Sequence, residues 1–150
     1  MIWTFRIECI GGIYIKEDWV RVVEIDSGIS LLNFHEIILS LVGFDRDHLF
    51  EFFAGRDPYN RKIEFVEDFW DKEIESVFEE YGKIVLEDIF PLTKGLKLFY
   101  HFDFGDDWYF EVRKTRKKPK NPEEGITYPN LVESIGPNPP QYGSEEDWEE

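Results

Sequence analysis

Two strongly apolar runs, Leu96 to Phe102 and Trp108 to Val112, are separated by only five residues, Asp103-Phe104-Gly105-Asp106-Asp107. Two β-rich runs so closely spaced predict a hairpin, with Gly105 supplying the reversal. The turn carries three carboxylates and is flanked by Phe102, Phe104 and Trp108. That is more aromatic surface than a reversal needs. The segment is therefore the first place to look for a site, with Asp103 and Trp108 its leading residues.

Other elements follow from periodicity. Trp3, Phe5, Ile7 and Cys9 alternate with Thr4, Arg6 and Glu8, the period of two of a half-buried strand. On that face Cys9 reads as a small core residue. Gly11-Gly12 allows a bend, and Trp19 to Ile25 forms the antiparallel partner. Ser30 is placed to cap a helix whose Leu31, Phe34, Ile37, Ile38, Leu41 and Val42 recur at helical spacing, and Gly43 ends it. His48 to Phe53 reads as a third strand and Lys62 to Val66 as its return. Asp71 to Tyr81 reads as a second helix, capped by Asp71 and ended by Gly82, with Ile74, Val77, Phe78 and Tyr81 on one stripe. Leu86 to Phe90 adds a helical turn before Pro91, and the second strand of the final hairpin runs from Trp108 to about Arg116.

Length and charge bound the rest. A chain of 150 residues is the size of one domain. No apolar run approaches the roughly 18 residues of a membrane helix. The alternating start lacks the design of a signal peptide. One cysteine excludes an internal disulfide and a Cys-based metal cluster, so a cytoplasmic location is expected. Single Cys, Met and Gln residues beside many Glu and Lys point to a heat-adapted source. A net charge of −15 argues against general nucleic-acid binding, which needs a positive field. A basic run, Arg113, Lys114, Arg116, Lys117, Lys118 and Lys120, stands apart from this, either as an anion-binding patch or as a solvated strand end.

Beyond Lys118 the composition changes. Six of the eight prolines fall at 119, 122, 129, 137, 139 and 140, and residues 119–150 hold eight acidic side chains against Lys120 alone. This segment reads as an extended Pro-rich acidic tail of a single domain spanning 1–150, unfit for a helix or a central strand. Tyr128, Leu131, Val132 and Ile135 are placed to pin it to the body. Residues 144–150 are expected to fray, with Trp148 as an anchor.

Four stretches carry a family resemblance. Asp18-Trp19-Val20-Arg21-Val22-Val23 looks like an early "IWRRV" strand, and Leu32 to Ile38 like an "L-x-x-L-H-x-x-I" helix. Asp47 to Phe52 looks like an "s-H-L-h-x-F" strand, and Phe102 to Trp108 like the signature "YDFGDdW". Tyr128-Pro129 and Pro139-Pro140 echo the C-terminal "yP" and "PPED". The chain thus resembles the Ri-plasmid ORF-3-like family, also called insertion-element passenger (TnpR-like) proteins. The resemblance implies an α+β fold: a mainly antiparallel β-sheet packed with two or three helices. Two departures stand out. Phe110 occupies a place where many members have histidine, and Pro139-Pro140 is followed by Gln141-Tyr142 in place of an acidic pair.

Motifs for catalysis are sparse. Asp103-Phe104-Gly105 copies a kinase metal-binding motif by chance, because the Gly-rich loop, strand lysine and catalytic loop are missing. There is no Gly-x-Ser-x-Gly elbow, Walker loop or dinucleotide fingerprint, so no cofactor, catalytic residue or metal ligand is assigned. The leading reading is a non-catalytic protein-interaction module, with His48, Asp103, Asp106, Asp107 and Trp108 as binding residues and another protein or a second copy as partner. The runner-up is a metal- or carboxylate-dependent hydrolase using His48 and the acids of 103–107. A third is a mobile-element-associated nucleic-acid accessory protein acting through the 113–120 basic run.

Overall fold

Alternation lays down the sheet. The computed structural model describes residues 1–142, so the fraying and the Trp148 anchor expected further on lie outside the described residues. In β1 (Ile2–Gly11), Phe5, Ile7 and Cys9 are buried on one face, while Arg6 and Glu8 are half-buried on the other. β2 (Val20–Asp26) runs antiparallel to it with Phe5 opposite Val23. After a tight turn the Ser30 hydroxyl accepts the Asn33 amide at 3.1 Å and starts α1 (Leu31–Val42). Gly43, at φ 77°, ends that helix in the left-handed conformation.

The remaining elements are β3 (Phe50–Gly55), β4 (Arg61–Glu64), α2 (Ile74–Lys83), α3 (Leu86–Ile89), β5 (Lys97–Phe102), β6 (Trp108–Lys114) and β7 (Asn130–Ile135). The seven strands make one antiparallel sheet in the order β4-β3-β5-β6-β1-β2-β7. Both long helices pack on the same face. Phe34 of α1 meets Phe5 at 5.8 Å and Phe52 at 6.0 Å between ring centres, and Tyr81 of α2 meets Phe50 at 5.3 Å. This is the α+β architecture: one apolar sheet face under helices, the other carrying Glu51, His101, Tyr109 and Glu111.

Several boundaries differ from the sequence reading. Asp71 caps no helix, because Phe69–Asp71 forms a 3₁₀ turn and α2 starts at Ile74 behind Glu73. Of the stripe expected on α2, Val77 and Tyr81 are buried, whereas Ile74 and Phe78 stay partly exposed. Gly82 lies inside α2, where a Cβ would come 3.7 Å from the Leu32 side chain. The third strand begins at Phe50, two residues after His48. The Pro-rich tail contains an edge strand, β7, paired to β2 and broken by a bulge between its Val22 and Val23 partners. Leu131, Val132 and Ile135 are all exposed, so backbone pairing, not their side chains, holds the segment to the body. Among the described residues no helix is long and apolar enough to cross a membrane.

Candidate functional site

The 103–107 turn is built by its aspartates. Asp103 and Asp107 take φ of 61° and 52°, while Gly105 is not in the left-handed region. The expected glycine reversal is therefore carried by Asp, whose short polar side chain tolerates that conformation. Asp103 Oδ1 accepts the amides of Gly105 at 3.1 Å and Asp106 at 3.2 Å, and the Asp107 amide donates to the Asp103 carbonyl at 2.7 Å. Burial, reinforced by the charge of Asp103, raises the Asp106 carboxyl above its ordinary value. Trp108 is 0% exposed. Its ring packs edge-on to Phe44 at 4.8 Å and against Gly12. The indole thus belongs to the core and presents no contact area to a partner. Phe110 is also core, against Trp19 and Tyr100.

Each end of the turn meets a histidine. On one side His48 Nε2 lies 3.4 Å from Asp103 Oδ2, 3.6 Å from Asp47 Oδ1 and 3.5 Å from the Tyr142 hydroxyl. That hydroxyl donates to Asp47, which holds the Asp47 carboxyl below the usual carboxylate range and pushes the phenol up to about 12. The Asp45 amide and carbonyl are both bonded to Gln141. The departures from "PPED", Gln141 and Tyr142, therefore clasp the loop before β3.

On the other side stands His101, which the sequence reading left unassigned. β3, β5 and β6 are neighbours, so Glu51, His101 and Tyr109 fall in one cross-strand row. His101 Nδ1 is 2.7 Å from Glu51 Oε2, and Nε2 is 2.9 Å from Asp107 Oδ1. Carboxylates only accept, so both contacts are hydrogen bonds together when the ring carries two protons. Arg61 grips Glu51 through two bonds, at 2.7 and 3.0 Å. Burial works to raise the Glu51 carboxyl, but hydrogen bonds from His101 and Arg61 outweigh it and hold it below its ordinary value.

Aromatic rings continue from this knot in both directions. Tyr109 stacks on His101 at 4.2 Å and 6°, and Tyr59 follows at 6.1 Å. Phe104 covers the imidazole at 4.7 Å, and Trp70 follows at 5.3 Å. The ends of this ladder are open to solvent: Trp70 is 75% exposed and Tyr59 87%. Beside it lies a cleft of about 280 Å³ lined by Arg61, Glu64, Asp68, Trp70 and Asp71. No sequence signal marked Trp70 or Tyr59, because an aromatic beside polar residues reads equally well as a core contact.

Among the described residues, no group of three or more His, Cys, Asp and Glu side chains is arranged to hold a metal ion. The basic run is dispersed: Lys120 pairs with Glu24 and Glu123 at 2.7 and 2.9 Å, and Lys114 lies over the Trp3 ring.

The model of the plasmid pRiA4b ORF-3-like protein family matches residues 13–147. The chain belongs to this family. Its signature turn is thus the Asp-built reversal that joins the His48 and His101 ends of the site. No curated protein matches the chain. Among solved structures, it is similar to a protein of unknown function from Methanosarcina mazei Go1, with a TM-score of 0.63 and 22% identity. That similarity covers 89% of this chain and 68% of the other, and it shows a shared fold.

Proposed function

We propose that this ORF-3-like protein is a non-catalytic interaction module, and that its docking surface is the aromatic ladder from Trp70 through Phe104, His101 and Tyr109 to Tyr59. The observation that carries the reading is the 75% exposure of Trp70 beside a cleft rimmed by Glu64, Asp68 and Asp71. Trp70, on the 3₁₀ turn, and Tyr59, in the β3–β4 loop, are backed by the rings of Phe104 and Tyr109, and such Trp and Tyr side chains are the usual high-energy contacts of protein interfaces. The acidic rim and the net charge of −15 select an extended, Lys- or Arg-bearing segment of another protein, whose cations sit over aromatic faces. Of the residues singled out in the sequence, Asp107, bonded to His101, lies at this surface's edge, while Asp103, His48 and Asp106 belong to the other end of the turn.

Titration with a panel of basic and neutral peptides tests this. Basic peptides should bind, bind less well as salt rises, and lose at least about tenfold in affinity to Trp70→Ala. Equal binding of basic and neutral peptides, or no loss in Trp70→Ala, counts against it. A hydrolytic reading keeps one observation, the 3.4 Å approach of His48 to Asp103. That same nitrogen also faces Asp47 and Tyr142, which favours a histidine tied to its neighbours over a base open to substrate. Metal-dependent ester hydrolysis that disappears in His48→Ala would reverse this preference.

A further inference from the structure

The apolar stripe of α2 is wider than the core it serves. Ile74, Val77, Phe78 and Tyr81 recur at helical spacing, yet of these four only Val77 and Tyr81 are buried. Ile74 and Phe78 stay partly exposed, and so does Leu49 just before β3. The three are not scattered. With Phe69 and Trp70 they line one cleft of about 160 Å³, which the buried Phe50 and Val77 close from within. Phe69 and Trp70 also wall the cleft of Glu64, Asp68 and Asp71. An apolar cleft and an acidic cleft therefore share one wall. The cation lining each is already engaged. Lys72 donates to the Glu67 carbonyl at 2.7 Å and lies 3.5 Å from Glu80, and Arg61 donates to Glu51 at 2.7 and 3.0 Å. What the two clefts offer an incoming chain is apolar carbon in one and carboxylates in the other.

From this, and resting on the aromatic docking surface proposed above, we infer that the partner's segment is amphipathic. It places one large apolar side chain among Leu49, Ile74 and Phe78, and a Lys or Arg a short distance along the chain in the acidic cleft across Trp70. Single exposed apolar side chains are ordinary, whereas several gathered round one cleft with a polar rim mark a contact site. The apolar cleft is smaller than the roughly 300 Å³ at which small-molecule sites begin, so it suits one anchoring side chain of a larger partner. The neighbouring carboxylates set the charge of what flanks that anchor. A basic segment is attracted, while a second copy brings the same net charge of −15 and is repelled. Burial of the anchor adds affinity that salt does not screen.

Short Gly- and Ser-based peptides are the probes, with binding read by calorimetry. One set carries lysines alone, a second adds a leucine or phenylalanine, and a third keeps that apolar residue with glutamines in place of the lysines. The second set should bind about tenfold or more tighter than the first. Combining Ile74→Gln with Phe78→Gln, both at partly exposed positions, should cancel that gain and leave the affinity for lysines alone unchanged, with circular dichroism verifying the fold. Equal affinity of the first two sets, or a gain that survives the double substitution, overturns the amphipathic assignment and leaves the aromatic surface standing. A third set that binds as well as the second, or no binding by any set, overturns the assignment together with the basic-segment reading beneath it. A dimer of the protein alone, seen by sedimentation and dissociated by the same double substitution, would give the apolar cleft to a second copy and overturn the assignment.

Discussion

His35 sits where a charge is least tolerated. Its ring stacks on Phe50 at 3.7 Å and 8°, and its Nδ1 meets the Tyr100 hydroxyl. Burial pushes the imidazole down from 6.5 to about 4. The unfolded chain takes up this proton near pH 6.5, the folded chain only near pH 4. Between those values the unfolded state binds more protons, so stability falls as the pH falls and this contribution levels off below about 4. A separation of this size corresponds to about 3 kcal/mol. Urea midpoints at pH 7 and pH 4.5 should therefore differ less in His35→Leu than in the wild type, and equal acid sensitivity would count against this role. Cys9 is another buried titratable group. Burial pushes its thiol up to about 12, so it stays protonated and slow to alkylate in the folded protein. In the sequence His35 stands four residues from both Leu31 and Leu39, at the spacing of one helix face. The Tyr100 partner, 65 residues away, was visible only once α1 lay across β5.

At the scale of elements, the end of β1 and the start of β6 fit together through one glycine. A Cβ on Gly12 would stand 2.3 Å from the Trp108 ring, and Gly12 has φ of 153°. Trp108 has no room to retreat, because Phe44 packs on it edge-on at 4.8 Å. Gly12→Ala should thus destabilise by about 2 kcal/mol or more through overpacking and backbone strain. Denaturant unfolding gives the loss, and a changed near-ultraviolet dichroism would locate it at Trp108. Unchanged stability would show that the ring can move. The hairpin itself was legible, since two apolar runs flank five turn residues. Which residues reverse the chain was not. Asp103 and Asp107 adopt the left-handed conformation because Asp103 Oδ1 collects two amides and Asp107 closes on the Asp103 carbonyl, and that ring of bonds forms only in three dimensions.

At the scale of the whole molecule, the C-terminal segment ties back to the second strand. Asn138 Oδ1 accepts from the buried Trp19 indole at 2.7 Å and from Arg21 at 2.9 Å, and Arg21 also bonds the carbonyls of Ile135 and Gly136. Asn138→Ala leaves a buried indole N–H without its acceptor, so it should cost about 1–3 kcal/mol. Increased proteolysis within 130–142, read by mass spectrometry, would show the release of β7. A variant as stable and as resistant as the wild type would show that β-pairing alone holds the strand.

The sequence by itself determined the α+β class, the β1–β2 pair, the caps of α1, the final hairpin and the family. Each is written in local terms, as a period of two or 3.6, a capping serine, a terminal glycine or a contiguous motif. Tertiary structure decided the site. Glu51 and His101 meet because β3 pairs with β5, and Tyr109 joins them because β6 pairs with β5. Trp108 went to the core and Trp70 to the surface, although each has an aspartate on one side and an aromatic on the other in the sequence. Local pattern sets which face a side chain takes on its own element, but strand order and the closing of loops decide what that face meets.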